Sequence, residues 1–161
     1  MSKKVALYSI LASVCLVFSY VETLLPLTFI APGVKIGLAN GVALLLILKN
    51  DIKGAFLVNI IRILLLNLLF VSPFALLFSL SAGMISTLVM WLISKTKFFG
   101  TVGFSILGAL THNLVQTAVA LIVLGKGVLY YLPFLIFSAI ISGGFIGFLA
   151  KILDKKIKTF F

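Results

Sequence analysis

The chain has 161 residues, of which 63% are hydrophobic and only 10% are charged. Soluble globular domains carry roughly 25% charged residues, so this composition excludes an ordinary soluble domain and indicates an integral membrane protein. The formal net charge is +10, but basic residues beside apolar segments are typical of the positive-inside rule and of contact with anionic lipid head groups. We therefore expect a single multi-pass membrane domain over residues 1–161 that does not bind nucleic acid.

A helix needs about 20 apolar residues to cross a bilayer of roughly 30 Å. By this measure the sequence predicts an all-α fold, a bundle of six transmembrane helices. The first apolar run is longer than the hydrophobic region of a signal peptide, so we expect it to be retained as a helix. The second segment is short enough to be partly re-entrant, which leaves a five-span chain as an alternative. The six segments have the approximate bounds 5–24, 34–48, 54–71, 74–94, 102–124 and 128–150.

The distribution of lysines favours six spans. With a cytoplasmic amino terminus, six spans place ten lysines on the cytoplasmic side and only Lys35 and Lys126 outside. A five-span chain would place the four lysines near the carboxyl terminus outside instead. Since basic residues are retained on the cytoplasmic side, we predict that both termini are cytoplasmic.

An arginine inside the third segment needs a physical explanation, because ionisable side chains in a membrane cost about 2.5 to 3.5 kcal/mol on insertion scales. Arg62 lies near the middle of this segment, with Asn59 one turn before it and Asn67 further along. The arginine either pairs with Glu22, an acidic residue at a depth that it can reach, or faces a cavity. In a cavity its planar guanidinium would suit the carboxylate, phosphate or carbonyl oxygens of a ligand.

The fifth segment carries a second polar cluster, in which His112 and Gln116 share one helix face and Asn113 lies beside them. A break at residues 32–40, which contains proline and glycine, supplies a further cation and an amide. In the six-span topology these groups all lie in the outer half of the bundle, so we predict a ligand site that opens to the exterior. Its two cations favour an anionic or strongly polar ligand. The candidate ligand-binding residues are Lys35, Asn40, Arg62, Asn67, His112, Asn113 and Gln116.

Small residues recur at a spacing of four on three of the segments, which allows membrane helices to approach closely. Each stripe either packs inside the bundle, which we expect for most of them, or docks another membrane subunit. The first stripe is the best candidate for docking. The stripes are Ser9 and Ser13; Ser79, Gly83 and Thr87; and Ala139, Gly143 and Gly147.

Several kinds of chemistry are not supported by the sequence. It contains no glycine-rich phosphate loop, so we do not expect the chain to hydrolyse a nucleotide itself. Its acids, Glu22, Asp51 and Asp154, are widely spaced, and one histidine with one cysteine is a poor basis for a zinc site. We therefore expect neither an enzyme active site nor a metal or other cofactor.

Four features of the sequence resemble the bacterial Gx transporter family, which is also labelled heptaprenyl diphosphate synthase component I. They are the PGVKIGLAN stretch at 32–40, the intramembrane Arg62, the His112-Asn113-x-x-Gln116 cluster, and Tyr130-Tyr131-Leu132-Pro133 at the start of the last segment. That family is similar to the substrate-binding S components of energy-coupling factor (ECF) transporters.

The resemblance implies a six-helix bundle in the bacterial cell membrane that binds a vitamin-like or other small molecule from outside. It also implies two kinds of partner, a membrane coupling subunit and cytoplasmic ATPases. The synthase label implies an alternative, a non-catalytic membrane accessory subunit of a heptaprenyl diphosphate synthase. The aspartate-rich motifs with which prenyl diphosphate synthases bind magnesium do not occur in the sequence.

Overall fold

The computed structural model describes residues 2–25, 36–96 and 98–156. Within these residues the chain forms six α-helices and no strand, which confirms the predicted all-α class. Five helices are long and apolar enough to cross a membrane, while the second is shorter. A 3₁₀ helix, Lys126–Tyr131, precedes the last one. The helices are α1 (Ser2–Leu24), α2 (Leu38–Leu48), α3 (Ile52–Leu69), α4 (Pro73–Thr96), α5 (Thr101–Leu124) and α6 (Leu132–Lys156).

The short helix α2 lies at the centre of the bundle. It contacts α1, α3, α4 and α6, and the side chains of Leu44 and Leu46 are fully buried. Its eleven residues extend roughly 16 Å, whereas the eighteen residues of α3 extend roughly 27 Å. Because a tight turn connects the two helices, the amino-terminal end of α2 stops about 10 Å short of the far end of α3, inside the bundle.

Helix α3 separates its polar and apolar residues between two faces. The buried face carries Asn59, Arg62 and Asn67. Leu57 and Leu68 are exposed on the opposite face, where lipid can solvate them. Every costly polar group in the middle of this helix therefore faces protein rather than hydrocarbon, as the physics of the membrane interior requires.

The turn between α2 and α3 is fixed by an aspartate. Asp51 accepts a hydrogen bond from the backbone N–H of Gly54 at 3.0 Å and so caps the first turn of α3. Its other carboxylate oxygen accepts a hydrogen bond from the Tyr8 hydroxyl at 2.6 Å. One side chain therefore begins α3 and holds it against α1.

Two further contacts bring the ends of α4 and α6 to this turn. Lys49 forms a salt bridge of 3.0 Å with Asp154 on α6, and Lys95 on α4 donates to the side chain of Asn50 at 3.3 Å. We call this end of the bundle the basic end, because it gathers many of the lysines that the charge rule assigns to one side of the membrane. That this side is the cytoplasm stays a prediction. The described lysines of the basic end are Lys3, Lys4, Lys49, Lys53, Lys95, Lys151, Lys155 and Lys156.

The small residues of α6 pack against α5. A Cβ atom added to Gly147 would lie 2.7 Å from the Cα atom of Val102, and one added to Gly143 would lie 2.8 Å from the Cα atom of Ile106. Real Cβ atoms do not approach backbone this closely, so the two helices touch only because these positions lack side chains. This stripe serves packing within the bundle.

The stripe on α4 also faces the interior, where Gly83 lies against Ile63 and Asn59 of α3. Ser9 and Ser13 on α1 are different, because both are exposed and donate only to carbonyls of their own helix. The stripes on α4 and α6 therefore pack inside the bundle, as expected for most of the stripes. The stripe on α1 is exposed, and no described part of the chain packs over it.

We expect Gly147→Ala to lower the thermal unfolding temperature in detergent, because the new methyl group must push α5 and α6 apart at a cost of about 1 to 3 kcal/mol. Gly144→Ala is the matched control, since its Cβ would meet only the tip of Ile106 at 3.9 Å. Alanine is the better helix former, so the control should be neutral or slightly stabilising. Equal unfolding temperatures for the two variants would contradict the close contact at Gly147.

Candidate functional site

A polar cavity of about 60 Å³ lies inside the bundle and is lined by residues from all six helices. Gln116 is half-buried on α5 but does not line the cavity, and Lys35 lies outside the described residues. Of the break at 32–40, the described part is residues 36–40. The cavity does bring together five predicted site residues from α2, α3 and α5, namely Asn40, Arg62, Asn67, His112 and Asn113.

Arg62 is held by a hydrogen-bond network that joins α3 to α1. Its Nε and Nη2 atoms both donate to Oδ1 of Asn59, at 3.2 and 2.6 Å, and its Nη1 atom donates to the hydroxyl of Ser19 at 3.0 Å. These bonds use three of the five N–H groups of the guanidinium. Among the described residues the other two have no hydrogen-bond partner, and Arg62 lines the cavity.

Asn59 extends this network to α4. Its amide nitrogen donates to the backbone oxygen of Gly83 at 3.1 Å and to the hydroxyl of Thr87 at 2.9 Å. Ser19, Asn59 and Thr87 are each no more than 3% exposed. The guanidinium is therefore fixed by uncharged acceptors that are themselves oriented by α1, α3 and α4.

Glu22 lines the same cavity as Arg62, so two opposite charges share one site. The carboxylate also accepts a hydrogen bond from the backbone N–H of Leu38, the first residue of α2. A negative charge is favourable at this position, because the amino-terminal end of a helix carries a partial positive charge. Glu22 is 7% exposed and thus buried beside the first turn of α2.

The cavity therefore contains an acid as well as a cation, which changes the charge balance that the sequence suggested. Of the two predicted cations, Arg62 is among the described residues. Arg62 lines the cavity and donates to Asn59 and Ser19, while Glu22 lines the same cavity.

Amide side chains supply much of the remaining polar lining. Asn113 donates to the backbone oxygen of Leu135 on α6 at 2.8 Å, and Asn67 donates to the backbone oxygen of Ile63 in its own helix at 2.8 Å. Asn40 lies in the first turn of α2, and His112 lies beside Asn113 on α5. Amides offer both donors and acceptors, so this lining suits a ligand with several hydrogen-bonding groups.

Sequence reasoning did not assign Ser19 or Glu22 to the site. A pattern in α1 points to them, because Cys15, Ser19 and Glu22 recur with helical spacing and all three are buried. Serine is common in membrane helices and forms hydrogen bonds to its own backbone, so Ser19 alone was not distinctive. Ser79, Ser105 and Ser142 also line the cavity and were not predicted.

The fold and the cavity together define a polytopic helical membrane protein with a polar site between its helices. The sequence model of one family, heptaprenyl diphosphate synthase component I, matches residues 11–153. Because the match covers most of the chain, the protein belongs to this family, as the resemblance predicted. Comparisons with curated proteins and with solved structures gave no match.

We expect Asn59→Leu to be strongly destabilising, because it removes two of the three hydrogen bonds of a buried guanidinium. Breaking a buried charged arrangement costs about 3 to 5 kcal/mol, whereas replacing it entirely by apolar residues is often nearly neutral. The double variant Asn59→Leu with Arg62→Leu should therefore recover much of the lost thermal stability in detergent. A double variant less stable than Asn59→Leu alone would show that Asn59 does not stabilise the fold through Arg62.

Proposed function

We propose that the protein is the ligand-binding membrane subunit of an uptake transporter of the ECF type. The observation that carries this proposal is the cavity itself, in which the end of a short helix, a buried arginine and several amides meet between helices that are long and apolar enough to cross a membrane. Transporters commonly bind substrates where a helix ends within the membrane, since such an end offers unpaired backbone groups and a helix dipole. A bundle maintained only for structural reasons has no evident need for so many polar groups in one cavity.

The ligand that suits this cavity is small, rich in hydrogen-bonding groups, and neutral or zwitterionic. Arg62 can donate its two remaining N–H groups to an acceptor on the ligand. Glu22 provides a neighbouring negative charge, which would repel a simple anion. This revises the anionic preference that two cations suggested.

Binding such a ligand requires the cavity to enlarge. A volume of about 60 Å³ has room for a few water molecules, whereas sites for larger organic ligands measure about 300 to 1,000 Å³. Helix α2 meets α1 at its first turn, where Glu22 accepts a hydrogen bond from the backbone N–H of Leu38 and the Cys15 thiol lies 3.7 Å from the backbone oxygen of Ala39. We propose that separation of α2 from α1 admits the ligand.

A second candidate function follows from the family description. A component I of heptaprenyl diphosphate synthase would act as a membrane accessory subunit beside a catalytic partner. The exposed stripe on α1 could serve such a partner as well as a transporter subunit. The transporter proposal accounts for the polar cavity, which a purely accessory role leaves unexplained.

The transporter proposal predicts that the protein purified from its native membrane retains a small polar molecule that mass spectrometry can identify. With that molecule as ligand, Arg62→Ala should weaken binding roughly 10- to 100-fold, since charge-assisted hydrogen bonds contribute about 1.5 to 3 kcal/mol. Arg62→Lys should restore only part of the affinity, because an ammonium lacks the planar fork of donors.

Gln116→Ala is the control, since this polar residue of α5 does not line the cavity. It should leave the affinity within about twofold of the unmodified protein, well below the factor of ten that 1.4 kcal/mol represents. Unchanged affinity in a folded Arg62→Ala protein would refute the assignment of the cavity. A chain that copurifies with a prenyl diphosphate synthase, and retains no polar ligand, would favour the accessory role.

The exposed small-residue stripe on α1 is the candidate contact with a coupling subunit. Ser9 and Ser13 are exposed, and their hydroxyls are already bonded to the carbonyls of Val5 and Ser9. They therefore present a small and nearly apolar surface to the membrane. Such surfaces let a second helix pack closely where hydrocarbon alone provides little driving force.

We expect Ser13→Trp to disrupt copurification with the coupling subunit, and with it uptake, while ligand binding by the isolated chain is unaffected. The bulky ring would prevent close approach on a surface that the chain itself leaves open. Val14→Trp controls for the presence of a tryptophan in the lipid, since Val14 is exposed but lies about 100° around α1 from Ser13. Loss of ligand binding together with the subunit contact would indicate that Ser13 matters for the fold instead.

A further inference from the structure

A second and larger recess lies at the basic end, away from the polar cavity. Its volume is about 590 Å³, and it is formed by the first turns of α1 and by the turn that joins α2 to α3. Lys3 and Lys4 line it on one helix and Lys49 on the turn. We call it the basic groove.

The side of the groove that α1 forms changes from charged to apolar along the helix. Lys3, Leu7 and Ile10 line the groove and are spaced so that they share one face of the helix. Ile10 is 62% exposed, although it is a large apolar side chain. The groove therefore has cations at its outer end and hydrocarbon along the wall that leads into the membrane.

The two lysines on α1 are the cations available to a ligand. Lys49 is already paired with Asp154, while Lys3 and Lys4 are exposed and have no ion pair among the described residues. Asp51 also lines the groove, but its two oxygens accept hydrogen bonds from Tyr8 and Gly54. The lining retains an excess of positive charge even when this carboxylate is included.

We propose that the basic groove binds a phosphate-headed lipid. The phosphate lies between Lys3 and Lys4, which supply charge-assisted hydrogen bonds, and the hydrocarbon chain follows Leu7 and Ile10 toward the bilayer. Basic recesses beside membrane helices attract anionic head groups in this way. Free inorganic phosphate has the same charged group but no hydrocarbon chain that could contact the apolar side of the groove. This site is independent of the transporter proposal.

The test uses the full-length protein in neutral detergent and dioctanoyl phosphatidic acid as the probe, with binding followed by native mass spectrometry and thermophoresis. The variant Lys3→Gln with Lys4→Gln should bind the probe about 10- to 30-fold more weakly. The control is Lys151→Gln with Lys155→Gln, which removes the same charge from the same end of the bundle but outside the groove. It should change the affinity by about twofold or less, as expected for screened charges at a distance.

Two further probes separate the sources of the phosphate. Dioctanoyl phosphatidylcholine, whose head group is neutral overall, and inorganic phosphate, which has no chain, should both bind much more weakly than phosphatidic acid. Equal losses in the two double variants would overturn the proposal, because general attraction to a basic surface would then explain binding. Equal affinity for inorganic phosphate would overturn the assignment to a lipid, and equal affinity for phosphatidylcholine would overturn the recognition of an anionic head group by the lysines.

Discussion

The buried guanidinium of Arg62 is the constraint on which the interior of this bundle depends. A charge placed among apolar helices must be surrounded by acceptors, and here Asn59 and Ser19 provide them while Glu22 adds a negative charge. Each of these partners needs its own support, and Asn59 obtains it from Gly83 and Thr87 on α4. Side chains on three helices thus offset the free-energy cost of burying one charge. Their hydrogen bonds fix how α1, α3 and α4 pack.

The short helix α2 also depends on a buried polar side chain. A helix that ends inside the bundle leaves backbone N–H groups without intrahelical partners. Glu22 accepts from the first of them, at Leu38, and lines the same cavity as Arg62. The carboxylate therefore satisfies a helix end and places a negative charge in the cavity that contains the guanidinium.

The two recesses of the bundle have different chemistry. The polar cavity lies between the helices, mixes donors with acceptors and contains both a cation and an acid, so it suits a selective site for a small ligand. The basic groove is open, has excess positive charge and borders the bilayer, so it suits a lipid head group. The family description names a synthase component, and neither recess has the donor set of an aspartate-rich magnesium site. Binding, rather than catalysis, is the common theme of both proposals.

Composition and periodicity alone determined the membrane class, the six helical segments and the short second one, because hydrocarbon demands long apolar helices and penalises polar side chains wherever they occur. The same penalty identified Arg62 and the α5 cluster. Only the tertiary structure showed that Asn113 reaches the cavity while Gln116 does not, and that Glu22 belongs to it. It also showed that the α6 stripe packs against Val102 and Ile106, whereas the stripe on α1 is exposed. The physical reason is that sequence spacing defines the face of a helix on which a residue lies, whereas packing against neighbouring helices decides what that face meets.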